Sequence, residues 1–272
     1  MRSFPWAPTE ILRGFWRNRA LIAALTRREV IGRYQGSVMG LLWSFFNPLF
    51  MLAVYTFVFS VVFKARWNVG SDSRTEFALM LFAGLIVFNL FADCIIRAPN
   101  LIIANSNYVK KVVFPLEIMS YVTMGSALFH FMVSLGVWLA AYLLLFDSVH
   151  VSVVFLPLVL FPLMLFTLGL VWFLASVGVF LRDVSQFIGV LTSVLMFLSP
   201  IFYPITALPE EYRHFLFLNP LTPAIEAVRS LLFLGFVPEW IQLAKYYLFA
   251  LVFFWLGFVW FQKTRKGFAD VL

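Results

Sequence analysis

Residues 177–189 read VGVFLRDVSQFIG, and they place two ionisable side chains, Arg182 and Asp183, in a region otherwise without charge. No Asp, Glu, Lys or Arg occurs in residues 148–181, and none in residues 184–209. The pair is either a charged site inside a membrane or a turn between two membrane helices. Residues 151–205 are 55 in number. At about 1.5 Å of rise per residue and about 20 residues per crossing, that length makes two spans. Arg182 and Asp183 fall where the first must turn into the second. They read as a tight turn at the membrane surface, holding the two helices at the interface.

Composition agrees with a membrane chain. Of 272 residues, 62% are hydrophobic and only 12% charged, with Phe alone at 34. A soluble domain carries roughly 25% charged residues. Charge-free runs predict six spans near residues 38–63, 78–98, 118–146, 151–181, 184–205 and 241–262. No strand alternation competes with them, so the expected fold is an all-α membrane protein. Residues 1–37 form a cytoplasmic interfacial region, 38–205 hold spans one to five, 206–240 lie outside, 241–262 are span six and 263–272 a cytoplasmic tail. The whole reads as a single transmembrane domain. The start of the chain, MRSFPWAP, lacks the apolar core of a cleaved signal. Cys94 is the only cysteine, so it has no internal disulfide partner and fits no metal-ligand pattern.

Charge sets the orientation. Fourteen of the 20 basic residues fall on one side of this topology. Seven are arginines ahead of span one, and Lys263, Arg265 and Lys266 follow span six. The positive-inside rule makes that side, and both termini, cytoplasmic. The net charge of +7 is then topological bias and gives little support to nucleic-acid binding. Asp93 and Arg97, four apart at the end of span two, read as a boundary pair and not as an ion site.

Three further segments stand out. In PTEILRGFWRNRALIAALTRREVIGRY, residues 8–34, apolar residues recur at helical spacing between arginines. This predicts an amphipathic interfacial helix. TRRE, residues 26–29, matches a capping box and predicts a break near Leu25. Residues 97–118 hold a short polar segment between Pro99 and Pro115, either a plain connector or a lever for a soluble subunit. Residues 199–240 are apolar yet cut by six prolines. They predict two half-helices re-entering the external leaflet, with Glu226 and Arg229 able to pair. An external amphipathic cap is the alternative.

The segments LTRREVIGRYQGSVMGLLW, NSNYVKKVVFPLEI, GVFLRDV and SPIFYPITALPEEYRHFLFLNPLTPAIEAVR, in this order and spacing, resemble the polysaccharide-exporting permeases of ABC-2 type transporters. The O-antigen exporters are most similar, with capsule and teichoic-acid exporters near. The resemblance implies a homodimer in the bacterial inner membrane, served by two cytoplasmic ATPase subunits that hold ATP and Mg. It implies export of an undecaprenyl-diphosphate-linked glycan through a channel at the dimer interface. No P-loop motif occurs in the sequence, so a partner must hydrolyse any ATP; no cofactor, metal or nucleic acid is expected on this chain.

By position, the resemblance assigns ATPase coupling to the interfacial helix and to Asn105, Asn107, Tyr108, Lys110 and Lys111. Arg27, Arg28 and Arg33 are candidates to receive the lipid diphosphate, because guanidinium forks match phosphate. They serve equally as topology signals and as contacts to membrane lipids. A glycan channel favours aromatic walls. Trp43, Phe46, Phe50 and Phe57 form one face of span one, and Phe45, Tyr55, Phe59 and Phe63 the other; the sequence does not choose between them. Tyr203 is a candidate for the exit. Pro209, Asn219, Pro220, Glu226 and Arg229 mark the re-entrant region. His130 reads as a packing residue. An ion-coupled secondary transporter would need ionisable groups mid-span, and a membrane enzyme a cluster of them at one face; the sequence offers neither.

Overall fold

The computed structural model describes residues 7–62, 74–110, 114–146 and 150–272. Among these the structure is helical throughout, with no strand. Five helical stretches are long and apolar enough to cross a membrane: Gly40–Phe59, Thr75–Asn100, Ile118–Phe146, Val151–Phe180 and Trp240–Val271. Two short helices precede them, α1 (Pro8–Arg17) and α2 (Arg19–Arg33). The first span is built on α3 (Trp43–Tyr55), which contains Pro48 and runs on through a π-helical stretch, Thr56–Val62.

The centre of the molecule is α4 (Arg74–Arg97). Residues 77–95 along it are almost all below a tenth exposed, as expected of a helix apolar on every face. Around it pack α3, α6 (Ile118–Phe146), α7 (Leu156–Phe180), α8 (Val184–Leu198) and the short α10 (Leu221–Arg229). The last long helix, α11 (Trp240–Thr264), lies along α7. Glycine makes that contact possible. A Cβ on Gly257 would stand 2.0 Å from the Gly169 carbonyl oxygen, and one on Gly169 2.5 Å from that of Phe253. Between membrane helices, where lipid removes the hydrophobic drive, such close backbone packing supplies the attraction.

Several expectations change. Helix α2 runs unbroken through Thr26, so TRRE is not a capping box and the chain does not break near Leu25. The break comes earlier, at Asn18, whose side chain donates to the Gly14 carbonyl at 2.8 Å. Glu29 is drawn instead to Arg97, and Thr26 packs on α6 where Gly125 leaves room for it. Span two starts at Thr75, ahead of the expected 78. The fifth expected span, 184–205, is shorter: α8 ends at Leu198 after 15 residues, about 22 Å of helix.

The turn at 181–183 is tight, as expected, but its side chains do not hold α7 to α8. Arg182 and Asp183 are exposed, Asp183 makes no capping bond, and the turn closes through Val184 N–H donating to the Leu181 carbonyl.

Beyond α8 the chain forms α9 (Glu210–Phe217) and α10, the two short helices expected in the proline-rich segment. Asn219 organises their junction. Its amide donates to Ser199 Oγ and its Oδ1 accepts from Leu221 N–H, while the Pro220 carbonyl accepts from Tyr246 Oη. Pro209, with extended backbone, stands at the start of α9.

Candidate functional site

One end of the bundle gathers the charged groups. Asp93, at the end of α4, accepts from two arginines at once: Arg33 Nη2 at 2.5 Å and Arg97 Nη2 at 3.1 Å. Arg97 also pairs with Glu29 and donates to the backbone carbonyls of Asp93 and Thr123. The four side chains, 24–37% exposed, balance two cations against two carboxylates. The expected Asp93–Arg97 boundary pair is present, and it is the inner half of a clasp that fastens α2 to α4 and α6.

Of the three candidate phosphate arginines, Arg33 is therefore engaged. Arg28 donates to Tyr108 Oη at 3.3 Å. Arg27 is exposed and makes no ion pair among the described residues. Tyr108 lies on α5 (Ser106–Lys110) and stacks on Phe114, with ring centroids 4.4 Å apart. The structure thus brings together the interfacial helix and the 105–110 segment, which were separate in the sequence. Asn105 is turned back, donating to the Leu101 carbonyl, whereas Asn107 is exposed. Lys110 closes α5, and Lys111 lies outside the described residues.

Next to the clasp, a cavity of about 380 Å³ opens between α3, α4 and α6. Arg33, Tyr34 and Asp93 line one part of it, and Ser44, Asn47, Tyr55, Asn89, His130 and Ser134 continue the polar wall. Burial pushes the Tyr34 phenol up, so it stays neutral; its oxygen lies 3.4 Å from His130 Nδ1. His130 Nε2 is buried without a partner among the described residues. His130 is thus only half satisfied by packing, and it faces a polar space.

The sequence reading missed Asn47, Asn89 and Ser134. Their signal was present, because a polar residue inside a span is costly unless it meets a partner or a water-filled space.

The structure also separates the two faces of span one. Ser44 and Tyr55 turn inward to the cavity, Asn47 and Met51 line it while remaining exposed, and Phe59 packs against Phe77 and Phe202. Phe50 and Phe57 point outward, with more than half of each exposed. Phe46 stacks on Phe50 at 6.1 Å, and Trp43 is half-buried. Phe63 lies outside the described residues. At the other end of the bundle, Tyr203 donates to the Phe197 carbonyl at 3.2 Å.

Glu226 and Arg229 do pair, at 3.2 Å. Arg229 does more: it donates to the carbonyls of Met80, Pro200 and Ile201. It approaches α4 over Gly84, where a Cβ would stand 2.8 Å from its Nη2. A second ion pair missed by the sequence reading joins Arg265 to Glu117 at 2.6 Å, both side chains largely buried.

Five apolar helices of spanning length, a charged clasp at one end, a polar cavity beside it and short helices at the other end describe a polytopic membrane protein. The family profile of ABC-2 type transporters matches residues 20–233; the chain belongs to that family. It is similar to the O-antigen export system permease protein RfbA of Myxococcus xanthus, 26% identical over 96% of this chain and 98% of that protein. It is likewise 26% identical to RfbA of Klebsiella pneumoniae, over 93% of this chain and 95% of that one. The polysialic acid transport protein KpsM of Escherichia coli is 24% identical over 93% of this chain and 97% of its own length.

Proposed function

We propose that this chain is the membrane subunit of an ATP-driven exporter that moves a polysaccharide carried on undecaprenyl diphosphate, O-antigen in the first reading, from cytoplasm to periplasm. The observation that carries this is the full-length similarity to permeases named for O-antigen export. A capsular polysaccharide is the second reading, favoured by the similarity to KpsM. Teichoic acid is a further glycan of the same class, and an ion-coupled secondary transporter is the remote alternative.

In this proposal two copies of the chain form the channel and two ATPase subunits bind beneath them. The chain is not itself an enzyme. It crosses the inner membrane six times with both termini cytoplasmic, α8 making the fifth crossing. The burial of α10 against α4 as deep as Gly84 supports a re-entrant half-helix there. The Arg28–Tyr108 bond supports a coupling surface made jointly by α2 and α5. Arg27, exposed and without an ion pair, is the guanidinium readiest for a diphosphate, whereas Arg33 must first exchange Asp93 for phosphate. Outward-facing Phe50 and Phe57 are the aromatics free to meet a glycan.

The test is co-expression with the ATPase encoded beside this gene, followed by purification through a tag on either subunit. The expected result is a stable pair, and loss of surface glycan when this gene is deleted. Arg27→Ala should leave the pair intact and lower surface glycan several-fold. Normal surface glycan in the deletion strain would sink the proposal.

A further inference from the structure

A second cavity, of about 320 Å³, lies at the clasp end of the bundle, between the α1–α2 bend and the end of α11. Its position relative to the membrane follows from α1. Ile11 and Gly14 of that helix are buried, whereas Leu12 and Trp16 are 71% and 66% exposed. A helix with apolar residues bared beside Arg13 and Arg17 lies at the headgroup layer. The cavity beneath it therefore opens to lipid headgroups on one side and is closed by protein on the other.

Its lining carries both signs of charge. Glu117 and Arg265 form one part of the wall and satisfy each other. Glu10, which also pairs with the exposed Arg13 at 3.3 Å, and Arg17 stand on the α1 side, and Phe258 contributes apolar surface. Arg17 is exposed and has no ion pair among the described residues. The decisive group is Gln262. It is 5% exposed, it lines the cavity, and its Oε1 is buried with no hydrogen-bond partner among the described residues. A buried amide oxygen without a partner costs about 1–3 kcal/mol, which a donor entering the cavity would relieve. The volume is far more than one water needs, at about 30 Å³ each.

We infer that this cavity binds the headgroup of a phospholipid bearing a primary amine, a phosphoethanolamine. The ammonium donates to Gln262 Oε1 and to the Glu10 carboxylate, and the phosphate accepts from Arg17. The chemistry excludes close analogues. A choline headgroup has no N–H to give Gln262, and a glycerol headgroup has hydroxyls for Gln262 but no cation for Glu10. The lipid would fix α1 to the end of α11, and it is distinct from any transported substrate.

The purified full chain in mild detergent is titrated, under native mass spectrometry, with phosphatidylethanolamine, phosphatidylcholine and phosphatidylglycerol of identical chains. One phosphatidylethanolamine per chain should be retained at least tenfold more tightly than the other two lipids. Gln262→Leu should weaken it about tenfold, the value of one hydrogen bond. Arg17→Gln, a change at an exposed position that leaves the fold alone, should weaken it several-fold. Equal retention of all three lipids would overturn the inference, as would undiminished binding by Arg17→Gln. Millimolar glycerophosphoethanolamine should not displace the bound lipid; displacement at that concentration would assign the site to a soluble solute and reject the lipid.

Discussion

Arg229 shows how a charge is kept inside an apolar bundle. Helix α8 ends at Leu198, which leaves carbonyls near 200 without the N–H groups of a next turn. Arg229 supplies them, donating to Pro200, Ile201 and Met80 while Glu226 balances its charge. A guanidinium has five donors in a fixed plane, and an ammonium has three on a flexible stem. Arg229→Lys should therefore lose most of the bonds, and Arg229→Met all of them, leaving the partly exposed Glu226 without its cation. The expected cost is about 3 kcal/mol for Arg229→Met and less for Arg229→Lys, which keeps the charge, read as a fall in the melting temperature of the detergent-purified chain. A Met variant melting with the wild type would show that the bonds contribute nothing. The sequence spacing made the Glu226–Arg229 pair legible. It held no trace of the carbonyls, because Met80 and Pro200 reach Arg229 only through the fold.

Several helices of this chain meet at a glycine. At Gly257 the backbone of α11 touches that of α7, and any side chain would strike the Gly169 carbonyl. Gly257→Leu should force the two helices apart and cost more than about 2 kcal/mol, within the range for overpacking and lost close contact. Gly136, on α6, has open space where a Cβ would go. Gly136→Ala should be neutral or stabilising by up to about 1 kcal/mol, through helix propensity alone. Thermal melting of both variants checks the contrast, and equal effects would refute the close-packing account. Spans two, three, four and six were readable because charge interrupts apolar runs at their ends. The break between α1 and α2 was misplaced because Thr26 and Glu29 fit a local cap. Glu29 has instead a stronger partner in Arg97, 68 residues away.

Across the whole molecule, Arg97, the turn at 182–183, Arg265 and the α1–α2 helices share one end, tied by the bonds of Arg97 and Arg265 and by the packing of Phe180 on Phe268. Arg213 and Glu226 lie with the proline-rich segment at the other. This sidedness predicts labelling by a membrane-impermeant maleimide. Native Cys94 is fully buried and should stay silent. Arg213→Cys should react in intact cells once the outer membrane is made permeable, and Arg182→Cys only after the inner membrane is opened. The same response from both positions would mean that α8 does not cross.

Hydrophobicity and charge are properties of local composition. The sequence by itself therefore determined that this is an all-helical membrane chain, where most spans lie, and which residues share a side. Its motifs, in their order, also pointed to the ABC-2 family. Only the tertiary structure decided which face of span one turns inward, that Arg33 is clasped to Asp93, that Arg28 meets Tyr108, and that Gln262 is buried beside a cavity. The reason is the same in each case. A polar group withdrawn from water must find a partner, and the partners available to it are set by which helices the fold brings alongside.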